Sequence, residues 1–580
     1  MELARPATPG GIIVTSHKSI PTNLRKRNFS LSSRGLRKAI EHLPSLNKRR
    51  LRLEKYVFLS IFFSINFTLI YMSMYISKFY WILLPIYFLR PLIDVVEILT
   101  IVIAYPTRRA NARQPKAPET LENLVYLLPC YNETYTELMN SLNSLAEQKH
   151  LDTHNKAIII VCDGRCKGKG MTKTTAEHLT QDVIERPSIT LAREAYTSWD
   201  GSQMNVEVVQ GEFRGLPVFC IIKEENRGKR DGIILVRSFL HKFNLRNTKP
   251  SAGILAPWFL AQVSDFLIKV SMLSVEYVVG MDADTRFDAE CVLNLIQTAR
   301  EGEQVVGVSG YVLADFTTSK PYSIPYLYQN AEYAIGQHRR RLRQDLTSRK
   351  VTCLPGCCQL LRVIESTCGD EILGQFGYYP KEKDGLFRTI QSMMSEDRDH
   401  VCLVLRENAD VEIRQCLTAR AFTSVPQSFP VFLSQRRRWT LGPITSDVLL
   451  AARKTTGWVE RLAATASTLD SGVTLSMLLS RWFREDFDPQ TGMIFFALDT
   501  FRNIWNLSIV FMSPRSLKEA IQYLIGVVIC NALGPYVCMT VVLYSLYHLD
   551  DFRWGKTRIV IEDDSNRKPH SYCITNSQVA

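Results

Sequence analysis

The chain has 580 residues, 46 % of them hydrophobic and 22 % charged, which allows several domains and excludes a disordered protein. Its fourteen cysteines show no repeated spacing, against a disulfide-stapled secreted scaffold; neither Cys162-x3-Cys166 nor Cys353-x3-Cys357-Cys358 has the second Cys/His pair that completes a zinc site. Thirteen Lys/Arg and three Glu within residues 1–55 carry +10 of the +13 net charge, so the charge is a tail and not a nucleic-acid footprint on the folded part.

Residues 1–55 mix Pro, Ser, Thr and Asn with the basic residues and read as a disordered cytosolic tail ahead of a membrane. No cleavable signal pattern precedes the first apolar run. Residues 56–76 are free of charge over the length a membrane span needs. Residues 80–105 are apolar but include Arg90, Asp94 and Glu97, and charges at bilayer depth face protein or a watery path. Basic residues flank both outer ends, 48–55 before and Arg108, Arg109, Arg113 and Lys116 after. Stretch 56–105 therefore reads as a transmembrane helical hairpin that turns near Ser77-Lys78 and keeps both ends in the cytosol.

Between 120 and 440 short β-branched runs alternate with polar helical stretches. Strands are expected over 124–128, 157–162, 218–222, 276–281 and 304–309. Several are near-continuous apolar runs, as in strands buried on both faces. The pattern predicts an α/β, Rossmann-like domain with a largely parallel sheet and a ligand site beyond the strands' carboxyl ends. Polar motifs sit at those ends: Pro129-Cys130-Tyr131-Asn132-Glu133, Asp163-Gly164, Asn226-Arg227-Gly228-Lys229-Arg230 and Asp282-Ala283-Asp284.

Asp282 and Asp284 offer hard oxygen ligands to a divalent cation, Mg²⁺ or Mn²⁺. A carboxylate about 5 Å from one diphosphate charge repels it by about 3 kcal/mol at an effective dielectric near 20, so a rim holding Asp163, Asp282 and Asp284 needs a cation to accept a diphosphate. Further on, Glu396-Asp397-Arg398 supplies a carboxylate that can take a proton. Gln435-Arg436-Arg437-Arg438-Trp439 supplies guanidinium forks for an oxyanion or diphosphate.

In this order, with Leu354-Pro355-Gly356-Cys357 between the metal and base motifs, the residues closely resemble fungal chitin synthases. These are processive, membrane-embedded family 2 glycosyltransferases with a GT-A catalytic domain. The resemblance covers about 124–440, and Asp550-Asp551-Phe552-Arg553-Trp554-Gly555-Lys556-Thr557-Arg558 is similar to that family's C-terminal signature. It implies that Pro129, Tyr131, Glu133 and Asp163 cradle uridine and that Lys229 and Arg230 contact the nucleotide. Asp284, helped by Asp282, would hold Mg²⁺ or Mn²⁺ on the diphosphate of UDP-N-acetylglucosamine. Asp397 would be the general base, positioned by Glu396 and Arg398. Cys357 would border the acceptor, and Gln435, Arg437, Arg438 and Trp439 would close the site over the diphosphate and the chain end. The implied partners are the sugar nucleotide, a growing chitin chain, the lipid bilayer and a second copy of the chain, with no nucleic acid. The implied location is the plasma membrane, at a septum or growing tip, with the catalytic domain cytosolic.

After Trp439 the pattern weakens. Stretch 441–493 reads as an interfacial amphipathic region and 494–548 as a C-terminal transmembrane region. Within it, 494–512 contains Asp499 and Arg502, and Gly534-Pro535 leaves 520–547 open to one kinked helix or two short ones. Residues 549–580 form a cytosolic tail bearing the signature. Two other functions fit the same motifs: a synthase of a hyaluronan- or cellulose-like β-glycan, and a non-catalytic membrane subunit of a synthase complex.

Overall fold

Strand Asn155–Cys162, with six consecutive buried residues, shows what fixes the centre of the fold: an apolar run without alternation must be covered on both faces. The computed structural model of the chain describes residues 45–75, 88, 91–106, 121–168, 170–318, 322–452, 457–480, 489–552 and 560–561. The tail over 1–44, the turn near Ser77-Lys78, Arg90, the flank over 108–116, and 553–558 of the C-terminal signature lie outside the described residues. In chain order the strands are β1 (Asn123–Cys130), β2 (Asn155–Cys162), β3 (Lys167–Gly168), β4 (Glu185–Thr197), β5 (Gln203–Phe213), β6 (Leu216–Lys223), β7 (Tyr277–Gly280), β8 (Thr285–Phe287), β9 (Val305–Ala314), β10 (Gln359–Arg362), β11 (Glu412–Thr423) and β12 (Val560–Ile561).

One sheet runs β4-β5-β6-β2-β1-β7-β10-β9-β11-β8, and β3 pairs with β12 apart from it. Its central block β6-β2-β1-β7 is parallel. All five expected strands form, as β1, β2, β6, β7 and β9. In this sheet β4, β5, β8, β10 and β11 were not expected: β4 exposes most of its residues, and β11, which runs parallel to β9, carries Arg414 and Arg420 inside its run. Register lines up the block, with Cys130 opposite Cys162, Cys162 opposite Ile222 and Leu127 opposite Gly280. The carboxyl ends of four strands therefore finish along one rim.

Helices Lys229–Leu245 and Pro257–Lys269 cover one face of the sheet and bury Phe239, Phe243, Phe259 and Leu267. Helices Tyr135–Ala146 and Cys291–Ala299 cover the other with Leu138, Leu142, Leu295 and Ile296. Each such side chain, fully withdrawn from water, contributes about 1.5–3 kcal/mol.

Among the described residues two helices are long and apolar enough to cross a membrane, Lys48–Met72 and Leu517–Tyr547. The second runs 31 residues unbroken through Gly534-Pro535, so a single helix occupies 520–547. Stretch 91–106 is helical. Its Asp94 and Glu97 are buried against Arg339 (3.3 Å) and Arg343 (3.0 Å), so these charges face protein. Helix Pro489–Ser508 and the turn after it place Trp505 and Ile509 in one cluster with Tyr311 and Leu313 of β9. Asn66, wholly buried on the first apolar helix, donates to the Gly472 carbonyl (2.9 Å) and accepts from the Ser476 N–H (2.8 Å). Its amide thus sits between two backbone groups one turn apart and fastens helix Trp458–Ser480 to the first apolar helix.

Candidate active site

Asp163 follows β2 directly and is almost wholly enclosed. Its carboxylate accepts the N–H groups of Arg227 (3.0 Å) and Gly228 (2.8 Å), and Lys223 Nζ lies 2.5 Å away. Lys223, itself out of water, also pairs with Asp231 at 3.0 Å, and Asp231 accepts the Tyr196 hydroxyl at 2.6 Å. Burial alone would lower the lysine's pKa, but the two aspartates more than offset it and hold it raised. Gly228 has φ +84°, a conformation a side chain would strain. Asp163 therefore ties down the loop that delivers Lys229 to the first turn of its helix. At the end of β1, the Tyr131 N–H donates to Glu133 (2.6 Å), and burial pushes the Tyr131 phenol up where it meets Cys166 and Asn226. Pro129 lies two residues back, opposite Val161. Burial raises Glu133 to about 7; backbone N–H groups oppose this, and Glu137 and Asp282 add to it.

Just beyond β7, Lys229 Nζ bridges to Asp282 at 2.6 Å. Burial, then the charges of Asp282, Glu133 and Glu137, raise Asp284 to about 8, with Lys229 opposing. Asp397 joins this group from the far side of the cleft. Burial raises it to about 6; Lys229 and the Gly356 N–H pull it down, while Glu396 and Asp282 push it up. Burial would raise Glu396 too, but Lys229, Arg438 and Arg230 hold it lowered. Gly356 is the wedge between the Lys229 ammonium and the Asp397 carboxylate: a Cβ there would stand 2.6 Å from Lys229 Nζ and 2.8 Å from Asp397 Oδ1. Cys357 is beside it, its thiol pushed up by burial and by Asp282.

Ser395, which precedes the acidic pair, has φ +57° and donates from its hydroxyl to the Arg438 carbonyl (3.1 Å). A left-handed conformation at a residue with a side chain is strained, and here it turns Glu396 and Asp397 into the cleft. Arg398 turns the other way and pairs with buried Asp447. Arg230 is likewise engaged inside the protein, with Asp399 (2.9 Å), the Phe376 carbonyl (2.8 Å) and the Phe376 ring.

The cationic motif lies on helix Phe429–Ala452, where successive side chains point about 100° apart. Arg437, 2 % exposed, pairs with Asp551 at 3.1 Å on the side away from the acids. Arg436 pairs with Glu332 and stacks on Trp439 (4.3 Å), while Gln435 accepts from Arg436 (2.6 Å). Arg438 is the member that meets the acids: burial lowers its pKa, and Glu396, Asp397 and Asp282 favour its charge. Trp439, 44 % exposed and 5.8 Å from the Tyr333 ring, offers an open aromatic face. Glu133, Lys229, Asp282, Asp284, Cys357, Glu396, Asp397 and Arg438 thus come together, while Asp163, Arg230, Arg398 and Arg437 brace the elements that carry them. Lys223, Ser395 and Asp447 were not read from the sequence as site residues, and Gly356 was read only as part of the Leu354-Pro355-Gly356-Cys357 motif. Only Gly356 carried a local signal, its Pro-Gly turn.

The acids also decide whether a cation fits. Among the described residues no group of three or more His, Cys, Asp or Glu is arranged to hold a metal ion. An ion on Asp282 and Asp284 would complete its shell from phosphate oxygens and water, as Mg²⁺ usually does. The donor set is all oxygen, and its crowded charge is what a divalent cation relieves. The residues fit Mg²⁺ or Mn²⁺.

A family model described as chitin synthase matches residues 99–200 and 218–451. Chitin synthase 8 of Gibberella zeae is 35 % identical over 540 residues, which cover 91 % of this chain and 80 % of that protein. Chitin synthase 8 of Verticillium dahliae is 35 % identical over 449 residues, 73 % of each. Among solved structures, the mannosyltransferase PcManGT from Pyrobaculum calidifontis, in complex with GDP-Man and Mn²⁺, is 11 % identical with a TM-score of 0.38, over 80 % of this chain and 99 % of that one. With more than half its length matched by the family model and a 35 % identical relative spanned over most of its length, the chain belongs to the chitin synthase family of glycosyltransferases.

Proposed function

We propose that the chain is a processive, inverting chitin synthase. It transfers N-acetylglucosamine from UDP-N-acetylglucosamine to the 4-hydroxyl at the non-reducing end of a growing β-1,4-linked chain, and the product is exported for cell wall or septum formation. The observation that carries this reading is the meeting of Asp397 with Lys229, Asp282 and Arg438 around Gly356. A carboxylate raised to about 6 is ionised at neutral pH and still basic enough to take a proton.

Asp397 receives the acceptor hydroxyl's proton as that oxygen bonds to C1 of the donor sugar. The bond from C1 to the diphosphate oxygen breaks on the opposite face, and UDP leaves with the electron pair. One displacement inverts the centre and needs no enzyme nucleophile. Lys229 and Arg438 meet the charge that grows on the departing diphosphate. Asp284 and Asp282 would hold Mg²⁺ or Mn²⁺, which when bound neutralises that diphosphate. Pro129, Tyr131 and Glu133 border the uridine, and Trp439 offers its face to a sugar ring. The two apolar helices and the basic cluster over 48–55 support a multi-pass plasma-membrane enzyme with a cytosolic catalytic domain.

The test is polymer synthesis by the purified full chain from labelled UDP-N-acetylglucosamine, with and without Mg²⁺ or Mn²⁺, scored by chitinase sensitivity. Asp397→Asn is expected to lower synthesis by about 10²–10⁴-fold while UDP still binds. Near-normal chitin from that variant removes Asp397 from the role, and polymer made only from another UDP-sugar removes the donor assignment.

A further inference from the structure

One enclosed carboxylate has no place in the transfer just described. Asp447, 2 % exposed, lies on the helix that carries Arg438, about two and a half turns further on. Its Oδ1 pairs with Arg398 of the base motif. Both its oxygens accept from Arg340 at 3.3 Å, and Oδ2 also accepts the Ser467 hydroxyl at 2.8 Å. Four elements converge on it: the base turn, its own helix, the turn Gln337–Arg341, and helix Trp458–Ser480, which Asn66 fastens to the first apolar helix.

The base turn is gripped twice by that one helix. Ser395 donates to the Arg438 carbonyl and packs on Gly442 so closely that any Cβ there would overlap it. Pro443 then removes a backbone donor within the helix, and one turn later Asp447 takes Arg398. The separation of Asp397 from Arg438 is therefore set by two contacts on a single rod. An ion pair taken wholly out of water adds little net stability over apolar residues of the same volume; what it supplies is direction.

We propose that Asp447 is a positioning residue for glycosyl transfer, fixing the depth of Asp397 against Arg438 through Arg398 and linking that setting to the membrane-proximal helices through Ser467. The inference rests on the reading of Asp397 as the base. The full chain in lipid nanodiscs, with Asp447→Glu, Asp447→Asn and Ser467→Ala, gives kcat and KM for UDP-N-acetylglucosamine beside the melting temperature. Asp447→Glu keeps the charge and changes only its reach; it is expected to lower kcat about 10- to 100-fold with KM unchanged. Asp447→Asn is expected to lower kcat as well, and Ser467→Ala to lower it less. Wild-type kcat per folded molecule in Asp447→Glu, or a loss confined to KM or to melting temperature, overturns the proposal. Asp397→Asn run alongside separates the two failures. Polymer from it sinks the base assignment and this inference together, whereas an inactive Asp397→Asn beside a normal Asp447→Glu sinks this inference alone.

Discussion

Gly356→Ala asks whether the cleft depends on the close approach of backbone to Lys229 and Asp397. The added Cβ would lie 2.8 Å from Asp397 Oδ1 and 2.6 Å from Lys229 Nζ, where ordinary contact begins at 3.4 Å. Each group must therefore retreat by about 0.6–0.8 Å. Lys229 can swing on its long stem. Asp397 cannot retreat without stretching the hydrogen bond it accepts from the Gly356 N–H, and that bond helps hold its pKa down. Since a misplacement of about 1 Å at a reacting group can cost about 10²-fold in rate, kcat should fall about 10- to 100-fold. The clashing atoms are side-chain ends, so the stability cost stays near the low end for overpacking, about 1 kcal/mol. Initial rates of chitin formation, KM for the donor and thermal unfolding of the same preparation separate these effects. An alanine variant with wild-type kcat would refute the claim that this glycine sets the spacing of Lys229 and Asp397.

Two further outcomes follow from the same geometry. Because Asp397 acts as a base in its ionised form and titrates at about 6, kcat should fall as pH drops through that value and level off above it; a kcat independent of pH across that region would remove Asp397 as the base. Arg437 and Arg438, neighbours in sequence, should fail differently. Arg438→Ala is expected to cost about 3–4 kcal/mol of transition-state stabilisation with the fold intact. Arg437→Ala, which removes the ion pair with Asp551, should cost about 2–3 kcal/mol of stability, between the values for exposed and fully buried pairs. Denaturant unfolding and kcat measured on both variants check this, and the reverse pattern would contradict the assignment of Arg437 to the interior.

How much of the fold was legible depended on burial. The parallel block could be read because β1, β2, β6 and β7 are buried on both faces, and such strands leave apolar runs with turn residues after them. That also located the rim, since the motif residues begin where the runs stop. The outer strand β4 left no comparable trace. β4 carries Glu185, Arg186, Arg193 and Glu194 in an exposed strand, and its pairing with β5 rests on backbone bonds that no side-chain pattern announces.

At the site, residue type was legible and side-chain direction was not. Three consecutive arginines read as one cationic patch, yet the helix sends Arg436 to Glu332, Arg437 to Asp551 and only Arg438 toward Glu396 and Asp397. Glu332 and Asp551 lie about a hundred residues away on either side and the acidic pair about forty, and no local spacing encodes them. Arg230 and Lys229 divide in the same way, one to Asp399 and the other to Asp282, because adjacent side chains on a helix point about 100° apart. A charged motif in this fold is therefore part ligand and part brace. The bracing members do not weaken the functional assignment: Asp163 holds the loop that presents Lys229, and Ser395 joins the base turn to Arg438, so the few groups that face the cleft owe their placement to those that do not.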